Sequence, residues 1–257
     1  METSELVESL RKDRPNTGIF LDFDGTLAPI VVDPGAAKPL PGASEVLEEL
    51  AGTYARVAII SGRRAEELYT KLGTKRIRYF GLYGAEEVVD GALRQPQEAI
   101  QWRENSKLLA NRAADLIARE DLAGCEVEPK DLAVSIHYRK ADPPVPPDAL
   151  LRWADEEAGA LGFHFGIGRL VIELRPSGAS KAATFERAAG QIGLQNAFMA
   201  GDDSADVEAM AKAGEIVPGL LLRVGIRSDE EPEDMLEHTD IQVSSCEELL
   251  SLLRQLL

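Results

Sequence analysis

Apolar residues near the start of the chain fall into two alternating patterns. Gly18-Ile19-Phe20-Leu21 and Arg56-Val57-Ala58-Ile59-Ile60 are short continuous runs that stop at polar residues or glycine. Parallel strands buried on both faces read this way. A third run of the same kind lies around Tyr79 to Tyr83. Between them, Pro41 to Ala51 has helical spacing at Val46, Leu47 and Leu50, and a second helix is predicted from Arg64 to about Leu72. Strand alternating with helix predicts a doubly wound sheet whose ligands sit beyond the carboxyl ends of its strands.

The pattern then changes. Val88 to Leu93 reads as a hairpin with Asp90-Gly91 at its turn. A long helix is predicted from about Ala99 to Asp121, strands at Glu126 to Lys130 and Leu132 to Arg139, and a proline-rich loop at Ala141 to Pro147. A second amphipathic helix covers Asp148 to Leu161, and another strand Leu170 to Arg175. From Ser180 the first pattern resumes, with helices at Ser180 to Ile192, Asp206 to Ala213 and Cys246 to Leu257, and strands at Ala197 to Ala200 and Leu220 to Val224. The predicted fold class is α/β: a doubly wound, Rossmann-like parallel-sheet core from residues 1–88 and 176–257, with an inserted α+β cap domain at residues 89–175.

Composition narrows the function. With 44 acidic against 28 basic residues, the formal net charge of the 257-residue chain is -16. That argues against nucleic acid as a partner, since its phosphates need a positive surface. A phosphorylated small molecule stays compatible, because a bound metal ion reverses the local field. The two cysteines, Cys125 and Cys246, are too far apart in sequence to suggest a zinc site or disulfide framework. The acidic, polar start Met1-Glu2-Thr3-Ser4-Glu5 is unlike a signal peptide. No apolar run approaches the roughly 20 residues that span a bilayer. The expectation is a cytoplasmic monomer with no membrane partner.

Four places at the ends of core elements carry chemistry. Asp22-Phe23-Asp24-Gly25-Thr26 follows the first strand, and carboxylates two apart on a strand point the same way. Like charges so placed are costly without a cation or a chemical task; the plainer alternative is an Asp-Gly turn. Ser61-Gly62-Arg63 follows the second strand, where a hydroxyl and a helix N-terminus can hold a phosphate oxygen or simply cap a helix. Lys181 opens a helix, a place where a cation is poorly matched unless an anion resides there. Gly201-Asp202-Asp203-Ser204-Ala205-Asp206 sets three carboxylates at a strand-to-helix junction, a donor set that favours magnesium.

In this order the four sites resemble the haloacid dehalogenase-like phosphatases: Asp-x-Asp-Gly-Thr, Ser, Lys, then Gly-Asp-Asp-x-x-Asp. The resemblance implies a magnesium-dependent phosphatase in which Asp22 is the nucleophile and Asp24 the general acid and base. It places Mg2+ on the Asp22 carboxylate, the Asp24 backbone carbonyl and Asp202. Ser61 and Lys181 would hold the phosphoryl oxygens with help from Gly62 and Arg63. Asp203 would orient Lys181, and Asp206 would support the metal site. A receiver domain, which also combines a phosphorylated Asp with Ser or Thr and Lys, is disfavoured by Asp24 and by the long insertion between Ser61 and Lys181.

Substrate choice is expected in the cap. Alternation puts Val134, Ile136 and Tyr138 on one face of a strand and Ser135, His137 and Arg139 on the other, while Glu126, Glu128 and Lys130 share a face. That polar face reads either as a solvated sheet side or as a lid over a hydroxyl-rich ligand. Here the chain resembles the trehalose-6-phosphate phosphatases, on Leu21 to Ile30, Val127-Glu128-Pro129-Lys130, His137-Tyr138-Arg139 and Glu173-Leu174-Arg175-Pro176. The resemblance implies that Glu128, Lys130 and Glu173 contact the sugar of a small phosphorylated substrate, with His137 and Arg139 beside them. Two places depart from that family: it often has His-Gly at Tyr83-Gly84, and usually continues its last motif with Thr-Asp-Glu where this chain has Ala205-Asp206-Val207. Rival substrates are sucrose, mannosylglycerate and hexose phosphates, and a rival class is a silent binding protein on the same fold. The acidic segment Ser228 to Asp240 reads as solvated loop and helix.

Overall fold

The computed structural model describes residues 3–31, 33–168, 170–228 and 231–257. Asp229 and Glu230 of the acidic segment, and Met1 and Glu2 of the polar start, therefore lie outside the described residues. In chain order the strands are β1 (Thr17–Leu21), β2 (Arg56–Ile60), β3 (Arg78–Gly81), β4 (Glu86–Val89), β5 (Ala92–Arg94), β6 (Glu126–Pro129), β7 (Val134–His137), β8 (Phe163–Gly168), β9 (Val171–Pro176), β10 (Asn196–Gly201), β11 (Leu221–Ile226) and β12 (Ile241–Val243). The α-helices are α1 (Thr3–Lys12), α2 (Ala43–Ala51), α3 (Ala65–Leu72), α4 (Ala99–Arg119), α5 (Asp148–Ala160), α6 (Lys181–Gly190), α7 (Ser204–Ile216), α8 (Met235–His238) and α9 (Cys246–Gln255).

The chain divides into two compact units, Met1–Arg94 with Ser180–Leu257, and Gln95–Ala179. The first holds an eight-stranded sheet in the order β12-β11-β10-β1-β2-β3-β4-β5. It is parallel from β12 to β3 and antiparallel at β4 and β5. Alternate strand residues face opposite ways, as the pleat requires. Ile19, Leu21, Val57, Ile59, Phe198 and Val224 pack in one core with residues of α1, α2, α3 and α9. Phe20, Ala58, Ile60, Phe80 and Met199 pack in another with residues of α6 and α7. Buried apolar positions on both faces of each strand thus account for helices on both sides. β1 lies between β10 and β2, where the winding reverses, and open α/β sheets bind ligands at such a point.

The second unit is an antiparallel sheet, β6-β7-β9-β8. Val134, Ile136, Ile172 and Leu174 of that sheet are buried with Leu109, Ala113, Leu116, Leu150 and Ala154 of α4 and α5.

Some boundaries differ from the sequence reading. β4 pairs with β3 and β5 with β4, so the hairpin belongs to the large sheet; the units part at Arg94/Gln95 and Ala179/Ser180 instead of 88/89 and 175/176. β3 stops at Gly81 instead of continuing to Tyr83, because Leu82 and Tyr83 turn into left-handed backbone. β8 escaped notice because glycines at 166 and 168 dilute its strand signal. α1 and the three-residue β12 are also additions. No described helix is long and apolar enough to cross a membrane.

Candidate active site

The loop after β1 is tightly built. The Asp22 amide donates to the Ala200 carbonyl at 3.0 Å, carrying the β1–β10 ladder one residue past the strand. Phe23 is fully buried, and its carbonyl accepts from Leu27 and Ala28 at 2.9 Å, folding the chain back. Gly25 has φ +73°, and a Cβ there would lie 1.9 Å from Asp202 Oδ2. Glycine is needed both for the turn and for the approach of the Asp202 carboxylate.

Asp22, Asp202 and Asp206 are all buried, with carboxylate oxygens within 4.8 Å of one another. Asp206 therefore stands within the acidic cluster itself. It also closes a reciprocal cap on α7: its amide donates to Asp203 Oδ1 at 2.9 Å, and its Oδ2 accepts from the amides of Asp202 at 3.1 Å and Asp203 at 3.3 Å. Lys181, 2% exposed, brings its Nζ to 2.9 Å from Asp206 Oδ2, 3.2 Å from Asp22 Oδ1 and 3.3 Å from Asp203 Oδ1. The anions that explain a lysine at the start of α6 are thus the protein's own carboxylates.

Burial chiefly, with Asp203 and Asp24 adding and Lys181 opposing, pushes the Asp22 carboxyl up to about 6. Burial, then Asp203, holds Asp206 well above the ordinary carboxylate value. For Asp203 burial acts upward too, but Lys181 and the hydrogen bonds from Asp206 outweigh it and its value falls. Burial works against the Lys181 charge, yet Asp203, Asp206 and Asp22, with a smaller part from Tyr83, raise it well above normal. A buried set of hard oxygen donors richer in negative than positive charge fits a divalent metal ion.

Ser61 is buried at the end of β2, its amide bonded to the Phe80 carbonyl at 3.0 Å. One amide of the helix N-terminus expected beside it is already taken. Glu86, 2% exposed, accepts from the Ala65 amide at 2.9 Å at the start of α3. Arg63 also differs from the expectation of a substrate-facing group. Its Nε and Nη2 bind Asp24 Oδ2 and Oδ1 at 2.6 and 2.8 Å, Nη2 reaches the Pro34 carbonyl at 2.7 Å, and Nη1 pairs with Glu67. The guanidinium lies over the Phe23 ring, 5.5 Å from its centroid. So Asp22 faces Lys181 while Asp24 is gripped by Arg63.

In the smaller unit the register sets Glu128 opposite Ser135 and Ser135 opposite Glu173. Lys130 Nζ lies 3.6 Å from Glu128 and 3.8 Å from Glu173, and His137 Nε2 is 2.8 Å from Glu128 Oε2. These four share one sheet face, opposite the apolar one. Arg139 stands in the turn after β7 and joins no ion pair among the described residues.

The sequence pattern of the trehalose-phosphatase family matches residues 20–223. The chain belongs to the trehalose-phosphatase family. It is 36% identical over 178 residues to a trehalose-phosphate phosphatase of Mycobacterium leprae, a stretch that is 68% of this chain and 40% of that protein. A probable trehalose-phosphate phosphatase of Sinorhizobium fredii is 29% identical, over 86% of this chain and 82% of its own. The chain thus spans less than half of the M. leprae relative. The C-terminal domain of Candida albicans trehalose-6-phosphate phosphatase superposes with a TM-score of 0.74 at 21% identity, covering 99% of this chain and 96% of that one, which shows a shared fold.

Sequence reasoning passed over Glu86, Glu67 and Tyr83. Glu86 acts 21 residues from the amide that it caps, and Glu67 reads as an ordinary helix acid. For Tyr83 the signal was present, as a departure from the family's usual His-Gly.

The raised Asp22 value has a measurable consequence in metal-free protein. An acid with its value raised from 3.8 to about 6 folds more favourably when protonated, so stability is highest below the lower value and lost as pH rises through the higher. Asp203, shifted the other way, acts below the ordinary range. In chelator, the stability of wild type relative to Asp22→Asn falls by about 2 kcal/mol between pH 4 and 7. Urea unfolding across that range measures it, and a pH-independent difference between the two proteins contradicts it.

Proposed function

We propose that the chain is a magnesium-dependent phosphomonoester hydrolase that converts trehalose 6-phosphate to trehalose through an aspartyl-phosphate. The observation that carries this reading is the buried Asp22 carboxylate, 3.2 Å from Lys181 and clustered with Asp202 and Asp206 at the sheet's switch point, in a trehalose-phosphatase chain. Asp22 and Asp202, with the Asp24 carbonyl, would hold Mg2+, and Asp206 would fix the cluster. Bound there, the ion would neutralise phosphoryl charge and so ease the meeting of two anions.

Asp22 attacks phosphorus as the bond to the sugar oxygen breaks, and Asp24 delivers a proton to that oxygen. Asp24 then takes a proton from water, whose oxygen attacks the phospho-aspartate, releasing phosphate and restoring Asp22. Lys181 and Ser61 hold the equatorial oxygens, where positioning and charge supply most of the acceleration. Asp203 and Asp206 fix the Lys181 ammonium. Both Asp24 oxygens are engaged by Arg63. That bidentate grip fixes the orientation of the Asp24 carboxyl and makes Arg63 a positioning residue.

Glu128, Lys130 and Glu173, with His137 holding Glu128, are assigned to the sugar hydroxyls. The test is magnesium-dependent phosphate release from trehalose, sucrose and glucose 6-phosphates. The expected result is preference for the trehalose ester, with Glu128→Gln and Glu173→Gln each raising KM about 10-fold, the scale of one hydrogen bond to a charged group. Preference for another ester would keep the chemistry and overturn the substrate; binding without release from any ester would favour the silent binder.

A further inference from the structure

Tyr83 is one of the two places where the chain departs from its family's usual pattern, and none of the roles above uses its phenol. Its backbone is unusual. Leu82 and Tyr83 are consecutive non-glycine residues with φ of 50° and 58°, a region that side chains avoid. Such backbone persists only where its surroundings fix it, and functional sites are where it gathers. Here the fixings run to the phosphate site. The Tyr83 amide donates to the Ser61 carbonyl at 2.9 Å, and the Leu82 amide to that of Arg63 at 2.8 Å. The Tyr83 carbonyl accepts from Thr184 Oγ1 at 2.9 Å. Thr184 lies three positions after Lys181 on α6, on the same face of that helix. Tyr83 is thus tied at its amide to Ser61 and at its carbonyl to the helix of Lys181.

The side chain goes where these ties aim it. Tyr83 is buried, and a Cβ on Gly62 would lie 3.0 Å from its Oη and Cε2 and 3.1 Å from Cζ. Gly62 is not among the glycines with positive φ. The presence of the phenol, more than the turn, is what asks for glycine there.

We propose that Tyr83 is a phosphoryl-binding residue: its phenolic O–H, lying over the Ser61-Gly62 turn, donates a hydrogen bond to a phosphoryl oxygen held by Ser61 and Lys181. The inference rests on the phosphatase reading for the location of that oxygen, but not on the identity of the sugar.

The test is calorimetric binding of inorganic phosphate in magnesium, alongside kcat and KM for trehalose 6-phosphate. Tyr83→Phe keeps the ring and removes the donor. Its phosphate Kd and its KM are expected to rise about 10-fold, as for loss of one bond to a charged acceptor. Gly62→Ala, whose Cβ displaces the phenol, is expected to weaken phosphate binding to a similar degree. The double variant should lose no more than either alone, because both remove one contact. Wild-type affinity in Tyr83→Phe, or additive losses in the double variant, would overturn the proposal while leaving the phosphatase reading intact. If wild type neither binds phosphate nor releases it from any ester, the phosphatase reading fails, and this inference with it.

Discussion

Replacing Asp22 by asparagine reduces phosphate release by about 10⁴-fold or more, the scale of removing a group on which both chemical steps depend. The carboxylate is buried 3.2 Å from Lys181, so an amide of the same shape fits the site and loses only the attacking oxygen and its charge. Folding should survive, and in metal-free protein at neutral pH it should improve, because burial of the Asp22 charge is the main cause of its raised value. Initial rates of phosphate release at saturating magnesium and substrate measure the effect, with circular dichroism as the folding control. Acid-quenched wild type should carry phosphate on the chain, and the variant none. A variant rate within about 10-fold of wild type would remove Asp22 from the chemistry.

The second large effect concerns stability. Lys181 is buried and bonded to Asp22, Asp203 and Asp206. Substituting methionine keeps most of the side chain's bulk and leaves those carboxylates without their cation. Breaking a buried pair from one side costs about 3–5 kcal/mol, since the remaining charge has lost its counterpart. For a chain of this size that lowers the melting temperature in chelator by about 10 °C. Magnesium should restore part of the loss by supplying another positive charge to the same oxygens. A Lys181→Met protein that melts within about 2 °C of wild type, with or without the ion, would mean that the cluster is held by its caps and not by the ammonium.

How much of this was legible in the sequence follows from the range of the interactions. The Asp22, Ser61, Lys181 and Asp202 segments each sit at the end of a buried strand or the start of a helix, and short-range patterns mark both. The doubly wound core was legible for the same reason, as runs buried on both faces alternating with helical spacing. What stayed hidden is made across the chain. Arg63 reads as a phosphate ligand until Asp24, 39 positions away, takes its Nε and Nη2. The start of α3 reads as an anion site, but Glu86 has already taken its first amide. The left-handed step at Leu82 and Tyr83 has no local cause, since neither residue favours it; Ser61, Arg63 and Thr184 impose it.

The order of strands has a consequence for the growing chain. β1 pairs on one side with β2, which is near in sequence, and on the other with β10, whose Ala200 lies opposite Leu21. Until that distant segment leaves the ribosome, the strand bearing Asp22 keeps one edge open, and Lys181, Asp202 and Asp206 are not yet present to surround it. Closing so long a loop is entropically costly and kinetically late. The Gln95–Ala179 unit, by contrast, is continuous and paired among near neighbours. It is complete before the larger unit is and can settle first. The clustered carboxylates are therefore kept apart until the segments from α6 to α7 have been made.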